Sequence, residues 1–167
     1  PLADINEEGK INAKGQFNKR DEKKKVVADT AFEEKVALLK YVPGADPKIL
    51  DYYLKGGYRG VVIEAVGLGH VSVGEGKFNW LPHIKKAVEK GMLVCFAPQT
   101  VYGRLDPYVY ASGRELLEAG VAYLEDMLPE TAYVKLGWVL GHEKNPEKAR
   151  KMMLTNIAGE MNTRISD

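Results

Sequence analysis

The chain is 167 residues long, which fits a single domain. Apolar residues make up 45% and charged residues 28%, the balance of an ordinary globular protein rather than a disordered or fibrous one. A formal net charge of +1 gives no general attraction to nucleic acid or anionic membrane, and no stretch approaches the ~18 apolar residues of a membrane span.

Residues 1–34 are polar and lack periodicity, and they read as an arm or linker between domains. The first residue is not Met, and Pro1-Leu2-Ala3-Asp4 does not resemble a secretory signal, so the sequence is expected to be part of a longer polypeptide. Lys10–Phe17 and Lys25–Asp29 have the character of short strands. Lys19–Lys25, KRDEKKK, reads as a solvated loop. A contact patch for RNA or another polyanion is the alternative, without the aromatic or glycine pattern that would strengthen it.

The ordered core is expected over 35–160. Lys35–Val42 reads as a strand and Pro43-Gly44 as a turn. Asp46 and Pro47 mark the start of a helix whose inner face carries Ile49, Leu50, Tyr53 and Leu54, with Gly56-Gly57 as its stop. Val61–Val66 is a continuous, β-branched apolar run, the signature of a strand buried on both faces. It breaks at Gly67-Leu68-Gly69-His70, where two glycines permit a sharp turn and a close approach. The spacing lacks the third glycine of a dinucleotide fingerprint, since Ser72 stands there.

Val71–Asn79 reads as irregular, Leu81–Lys90 as a helix stopped by Gly91, and Met92–Phe96 as a third buried strand. Cys95 lies within that strand. A lone apolar-flanked cysteine excludes an internal disulfide and points to a buried thiol in a reducing compartment, the cytoplasm. The polar and aromatic Gln99–Arg104 segment follows. Then come a short helix Arg114–Ala119, a short strand Val121–Leu124, a long helix Asp126–Leu140 stopped by Gly141, and a last helix opened by Asn145-Pro146. The last helix buries Ala149, Met152, Met153 and Ile157, and 161–167 reads as a loose tail. Strands alternating with helices predict an α/β fold, a small, mostly parallel open sheet of about four strands with helices on both faces.

Ligands of parallel sheets bind beyond the carboxyl ends of the strands. Two loops qualify, Gly67–His70 and Gln99–Arg104. They suit a small polar substrate with carboxylate and amide ends, or they merely cap strand ends. The residues alone leave both readings open. Glu64, a carboxylate in an apolar strand, is either a general base or a structural group tied to a neighbouring strand. The three histidines, His70, His83 and His142, show no metal-ligand spacing, and neither a metal ion nor a cofactor is expected.

Three strings carry a family resemblance. They are Gln99-x-x-Tyr102-Gly103-Arg104, Tyr110-x-x-Gly113-Arg114-x-Leu116-Leu117 and the run Glu125–Leu136. Each resembles the C-terminal domain of the L-asparaginase family. Trp138–His142 and Lys151–Glu160 are similar to one branch of it, the asparaginase-like component of archaeal glutamyl-tRNA(Gln) amidotransferases, whose inter-domain segment Pro1–Ile5 also resembles. The resemblance implies glutamine hydrolysis, with ammonia passed to a tRNA-binding partner subunit, in a homodimeric assembly off the membrane. It further implies that the threonine nucleophiles lie in an asparaginase-type N-terminal domain, since neither Gly-Gly-Thr-Ile nor His-Gly-Thr-Asp occurs here. No catalytic residue is then expected in this chain, which alone should be inactive.

The substrate-proximal candidates under that resemblance are Gly67, Gly69 and His70, then Gln99 and Tyr102. A free-standing asparaginase and a non-catalytic assembly module are the alternatives. Departures from the family pattern are Ala97-Pro98 for a polar pair, Ala122-Tyr123-Leu124, Gly137 for Met, Glu143 for Thr, and the insertion-like Val71–Asn79.

Overall fold

A computed structural model describes residues 3–15 and 19–162. Its element order is β1 (Ala3–Ile5), β2 (Ile11–Ala13), β3 (Val36–Lys40), α1 (Lys48–Lys55), β4 (Gly60–Ala65), α2 (Leu81–Glu89), β5 (Leu93–Pro98), α3 (Ala111–Glu118), β6 (Ala122–Tyr123), α4 (Pro129–His142) and α5 (Pro146–Met153). Strands β3-β4-β5-β6 form one parallel sheet in that order, while β1 and β2 pair antiparallel in a separate exposed ribbon.

Alternation along each strand divides the core in two. Val61, Ile63, Ala65, Val94 and Phe96 face one side, where Leu50, Ile84, Ala87 and Leu116 of α1, α2 and α3 cover them. Val62, Leu93, Cys95 and Ala97 face the other, under Leu136, Val139 and Leu140 of α4 and Ala149 and Met153 of α5. The expected α/β class, strand count and two helical layers are those found.

Several boundaries move. The strand expected to end at Phe96 continues to Pro98, because Ala97 and Pro98 stay in register with Glu64 and Ala65. Proline is tolerated there because it closes the strand. The helix expected from Arg114 starts at Ala111, where Tyr110 is still extended. The helix expected from Asp126 starts at Pro129; Glu125 takes a φ of +56° and Asp126 belongs to the turn ahead of the helix. Gly141 does not stop α4, which runs on to His142. Ile157 lies beyond α5 and is exposed rather than core. Lys25–Asp29 forms no strand, and Phe17 lies outside the described residues. Asn145 does cap α5, accepting from the Lys148 amide at 3.0 Å.

The end of the polar arm belongs to the domain itself. Residues 29–34 lie along α4, where Gly137 and Gly141 make a notch one turn long. A Cβ on Gly137 would stand 2.1 Å from Phe32 Cζ, and one on Gly141 would stand 2.6 Å from the Ala31 carbonyl. This close approach is why glycine occupies a position inside a helix despite its cost there. The Glu33 amide donates to the Gly137 carbonyl at 2.8 Å, and the Glu33 carboxylate meets Arg59 at 3.2 Å. Asp29 accepts from Trp138 Nε1 at 3.3 Å and lies 2.7 Å from His142 Nε2. The other ring nitrogen of His142 donates to the Trp138 carbonyl at 2.7 Å. With acceptors facing both nitrogens, the cationic ring is favoured, and the Trp138 carbonyl and Asp29 hold its pKa above the ordinary value.

The carboxyl end is also tied down. Met161 is buried against the α4–α5 face and Asn162 makes two 2.7 Å bonds to Asp126, so these two do not belong to a loose tail; 163–167 lie outside the described residues. Lys135, buried on α4, reaches Glu160 and the Thr155 carbonyl, each at 2.5 Å. Burial pushes the Glu160 carboxyl up. Lys135 and the amides of Ala158 and Ile157 outweigh that and hold it at about 2.

These contacts set expected outcomes at both ends of the domain. Gly141→Ala displaces the Ala31–Phe32 backbone from α4, read as faster hydrogen exchange at the Glu33 amide. Raising the pH loosens the same contact, because the His142–Asp29 attraction is complete below 6.5 and fades as the raised folded-state pKa is passed. Glu160 acts in the opposite sense. Its contribution is complete above its ordinary 4.5 and is lost as pH falls toward about 2. Lys135→Met leaves that carboxylate unpaired and lowers stability by about 3 kcal/mol in urea titration near neutral pH.

Candidate functional site

Parallel strands empty onto one edge, and three connections meet there. After β4, the chain folds back on itself between Val66 and His70, which exchange bonds of 3.0 and 2.9 Å. Gly67 and Gly69 sit at φ +55° and +99°, the left-handed region that side chains disfavour. Gly69 is also a point of close approach, since a Cβ there would lie 2.6 Å from Tyr123 Cε1. The Tyr123 hydroxyl donates to the Gly69 carbonyl at 3.0 Å and lies 3.4 Å from that of Gly113. The Asp106 amide donates to the Leu68 carbonyl at 2.9 Å. The glycine loop is thus clamped from β6 and from the segment leading into α3.

His70 is presented by this clamp. Its ring stands 5.2 Å from that of Tyr110, nearly edge-on at 71°, and its Nδ1 lies 3.5 Å from Ser112 Oγ. Its Nε2 is shielded from water and has no hydrogen-bond partner among the described residues. Burial holds the imidazole below its ordinary pKa, so the ring is neutral at physiological pH. A neutral ring of this kind offers one donor and one acceptor and suits recognition of a polar group better than charge pairing.

The second candidate loop divides. Gln99 turns its amide nitrogen onto the Tyr41 and Glu64 carbonyls, at 2.5 and 2.9 Å. It thereby ties together the ends of β3 and β4, the strand-capping role left open by the sequence. Tyr102 points outward and is 81% exposed. Arg104 pairs with Glu125, whose carbonyl accepts from the Leu105 amide at 2.9 Å, which fastens this loop to the turn after β6. Glu64 meets Lys40 at 3.1 Å in the neighbouring strand, the structural reading of that carboxylate. Cys95 is fully buried and its thiol is pushed up to about 12, so it is no nucleophile.

Ser112 and Tyr110 were not singled out by sequence reasoning as neighbours of His70. The available signal was their place in the string Tyr110-x-x-Gly113-Arg114, which already carried the family resemblance. Among the described residues, no group of three or more His, Cys, Asp or Glu is arranged to hold a metal ion, and no helix is long and apolar enough to cross a membrane. A cavity of about 530 Å³ lies elsewhere, on the outer side of α4 between Val134, Trp138, Ile157 and Ala158. It is largely apolar and no residue of the strand-end loops lines it, so those loops, which carry the polar groups, define the candidate site.

Comparison with known proteins places this arrangement. The family model described as Glutaminase/Asparaginase C-terminal domain matches residues 35–153. A glutamyl-tRNA(Gln) amidotransferase subunit of Pyrococcus abyssi is 49% identical over 162 residues, covering 96% of this chain and 36% of that protein. The corresponding amidotransferase subunit of Methanopyrus kandleri is 43% identical over 165 residues, with 96% and 35% covered. The chain therefore spans about a third of the length of these relatives. Among solved structures, the thermostable L-asparaginase from Thermococcus kodakarensis superposes with a TM-score of 0.80 at 28% identity, covering 98% of this chain and 48% of that one.

The clamp on the glycine loop has a direct test. Tyr123→Phe removes the donor to the Gly69 carbonyl and lowers stability by about 1–3 kcal/mol in urea titration. Hydrogen exchange at the Gly69 and His70 amides accelerates with it.

Proposed function

This chain belongs to the glutaminase/asparaginase C-terminal domain family, and from that premise we propose that it is the C-terminal half of a subunit that releases ammonia from glutamine for amidation of Glu-tRNA(Gln). The observation that carries this reading is the 49% identity to a glutamyl-tRNA(Gln) amidotransferase subunit, sustained across 96% of the chain. The lower identity to the L-asparaginase from Thermococcus kodakarensis, 28%, favours glutamine amidotransfer over free asparagine hydrolysis.

The chemistry of the strand-end loops is consistent with half a site. They offer a neutral imidazole, backbone carbonyls and amides, and tyrosine hydroxyls, but no activated hydroxyl or thiol. The family resemblance assigns the attacking threonine to an asparaginase-type N-terminal domain, and neither Gly-Gly-Thr-Ile nor His-Gly-Thr-Asp occurs in this sequence. Gly67, Gly69 and His70 then form a wall of the substrate pocket, and Tyr102 an outlying contact. A homodimer brings this wall to the nucleophile of a neighbouring protomer, and a tRNA-binding partner subunit receives the ammonia. The chain by itself is inactive.

Ammonia release from glutamine tests the proposal. None is expected from the 167-residue chain alone. Mixing with a matching asparaginase-type N-terminal domain restores it, and His70→Ala then lowers kcat/KM by at least ~tenfold. Hydrolysis by the unmixed chain overturns the division of labour. Hydrolysis of asparagine in preference to glutamine by the mixture overturns the substrate assignment.

A further inference from the structure

A second cleft opens at the amino ends of the strands, the edge of the sheet opposite the glycine loop, and the proposed glutamine chemistry does not use it. Its volume is about 490 Å³, within the range of small-molecule sites. The turns after α2 and α3, at Gly91 and Gly120, frame it together with the start of α5 at Pro146. A Cβ on Gly91 would come no nearer than 4.0 Å to Pro146 Cγ, so the turn after α2 and the start of α5 stand apart.

Part of the lining is apolar. Met92 and Leu93 are buried at the amino end of β5, and Val88 and Leu117 lie in the last turns of α2 and α3. Charged side chains complete it: Glu89 at the end of α2, and Glu147 and Arg150 on α5. Among the described residues none of these charges joins an ion pair, whereas Arg59, Arg104 and Lys135 each have a carboxylate partner. Arg150 is nevertheless held in place. Its Nη2 donates to the Val121 carbonyl at 3.2 Å, which leaves other N–H groups of the guanidinium for a ligand.

This lining narrows the ligand. Two carboxylates against one guanidinium turn away phosphates and other multiply charged anions. An aliphatic amine would leave Arg150 without an anion, and a fatty acid would leave both carboxylates without a cation. A molecule with one carboxylate, one ammonium and an aliphatic side chain answers the whole lining. We propose that this cleft binds a free aliphatic α-amino acid, with its carboxylate on Arg150, its ammonium on Glu89 and Glu147, and its side chain against Val88, Met92 and Leu117. The site is separate from the strand-end loops and stands whether or not those loops bind glutamine.

L-leucine is the probe. It is titrated at millimolar concentration into the 15N-labelled 167-residue chain, and amide shifts are read by NMR. Saturating shifts are expected at Gly91, Gly120 and Glu147, while the Gly69 and His70 amides stay in place. Leucine amide lacks the carboxylate and N-acetyl-leucine lacks the ammonium, and each is expected to bind at least ~tenfold more weakly than leucine. Arg150→Gln removes the preference for leucine over leucine amide. Glu89→Gln combined with Glu147→Gln removes the preference for leucine over N-acetyl-leucine.

Shifts that do not saturate, or that gather at the strand-end loops, overturn the proposal. So does leucine amide or N-acetyl-leucine binding the native chain as tightly as leucine, a comparison that needs no variant to fold. Preferences that survive the substitutions in chains with native urea midpoints overturn the assignment of the charged partners.

Discussion

Burial of β4 on both faces is the constraint on which the molecule depends. Val61, Val62 and Ile63 are wholly removed from water, and alternate between the two helical layers. Each such side chain contributes ~1.5–3 kcal/mol relative to exposure, so the strand cannot shift register without reversing which layer every residue feeds. That fixity is passed to its carboxyl end. The Gly67–His70 turn begins where β4 stops, and its aim is set by a strand that has no freedom to slide.

The aim is then refined from the far edge of the sheet. Tyr123 belongs to a strand of two residues, yet its hydroxyl reaches the Gly69 carbonyl and faces that of Gly113. Burial keeps this phenol protonated well above its ordinary range, so it remains a donor at any pH the protein would meet. The glycine loop, the start of α3 and the last strand are consequently one mechanical unit. Gln99 performs the equivalent service between β3 and β4. Rigid edges of this kind fix where the polar groups at the strand ends stand.

The elements with strong periodicity were legible in the sequence. β4, α1, α2 and α5 carry apolar spacing with clear start or stop residues, and the two core layers follow from alternation alone. Several of the misread positions share a cause: the deciding contact lies far away in sequence. Gly141 resembles a helix stop, but it is a contact point for Ala31, and Gly137 leaves the space that Phe32 fills. Met161 and Asn162 look like tail until Asp126 is seen to hold them. In the candidate site, His70 was legible from the break after a buried strand. Ser112 and Tyr110 were not, because α3 is brought to the glycine loop by a hydroxyl on β6. Gln99 was legible as a polar residue at a strand end, but which way its amide turned depended on carbonyls of two other strands.

The glycine notch on α4 changes where the folding unit begins. The family model's match starts at residue 35, yet the contacts made with α4 start at Asp29, six residues earlier in the chain. A fragment trimmed to the homologous boundary would bare Gly137 and Gly141, strip Arg59 of its carboxylate and leave the His142 cation without its counter-charge. The short segment ahead of the domain is therefore a built-in clasp, and shortening it would wound a helix that the family outline treats as complete.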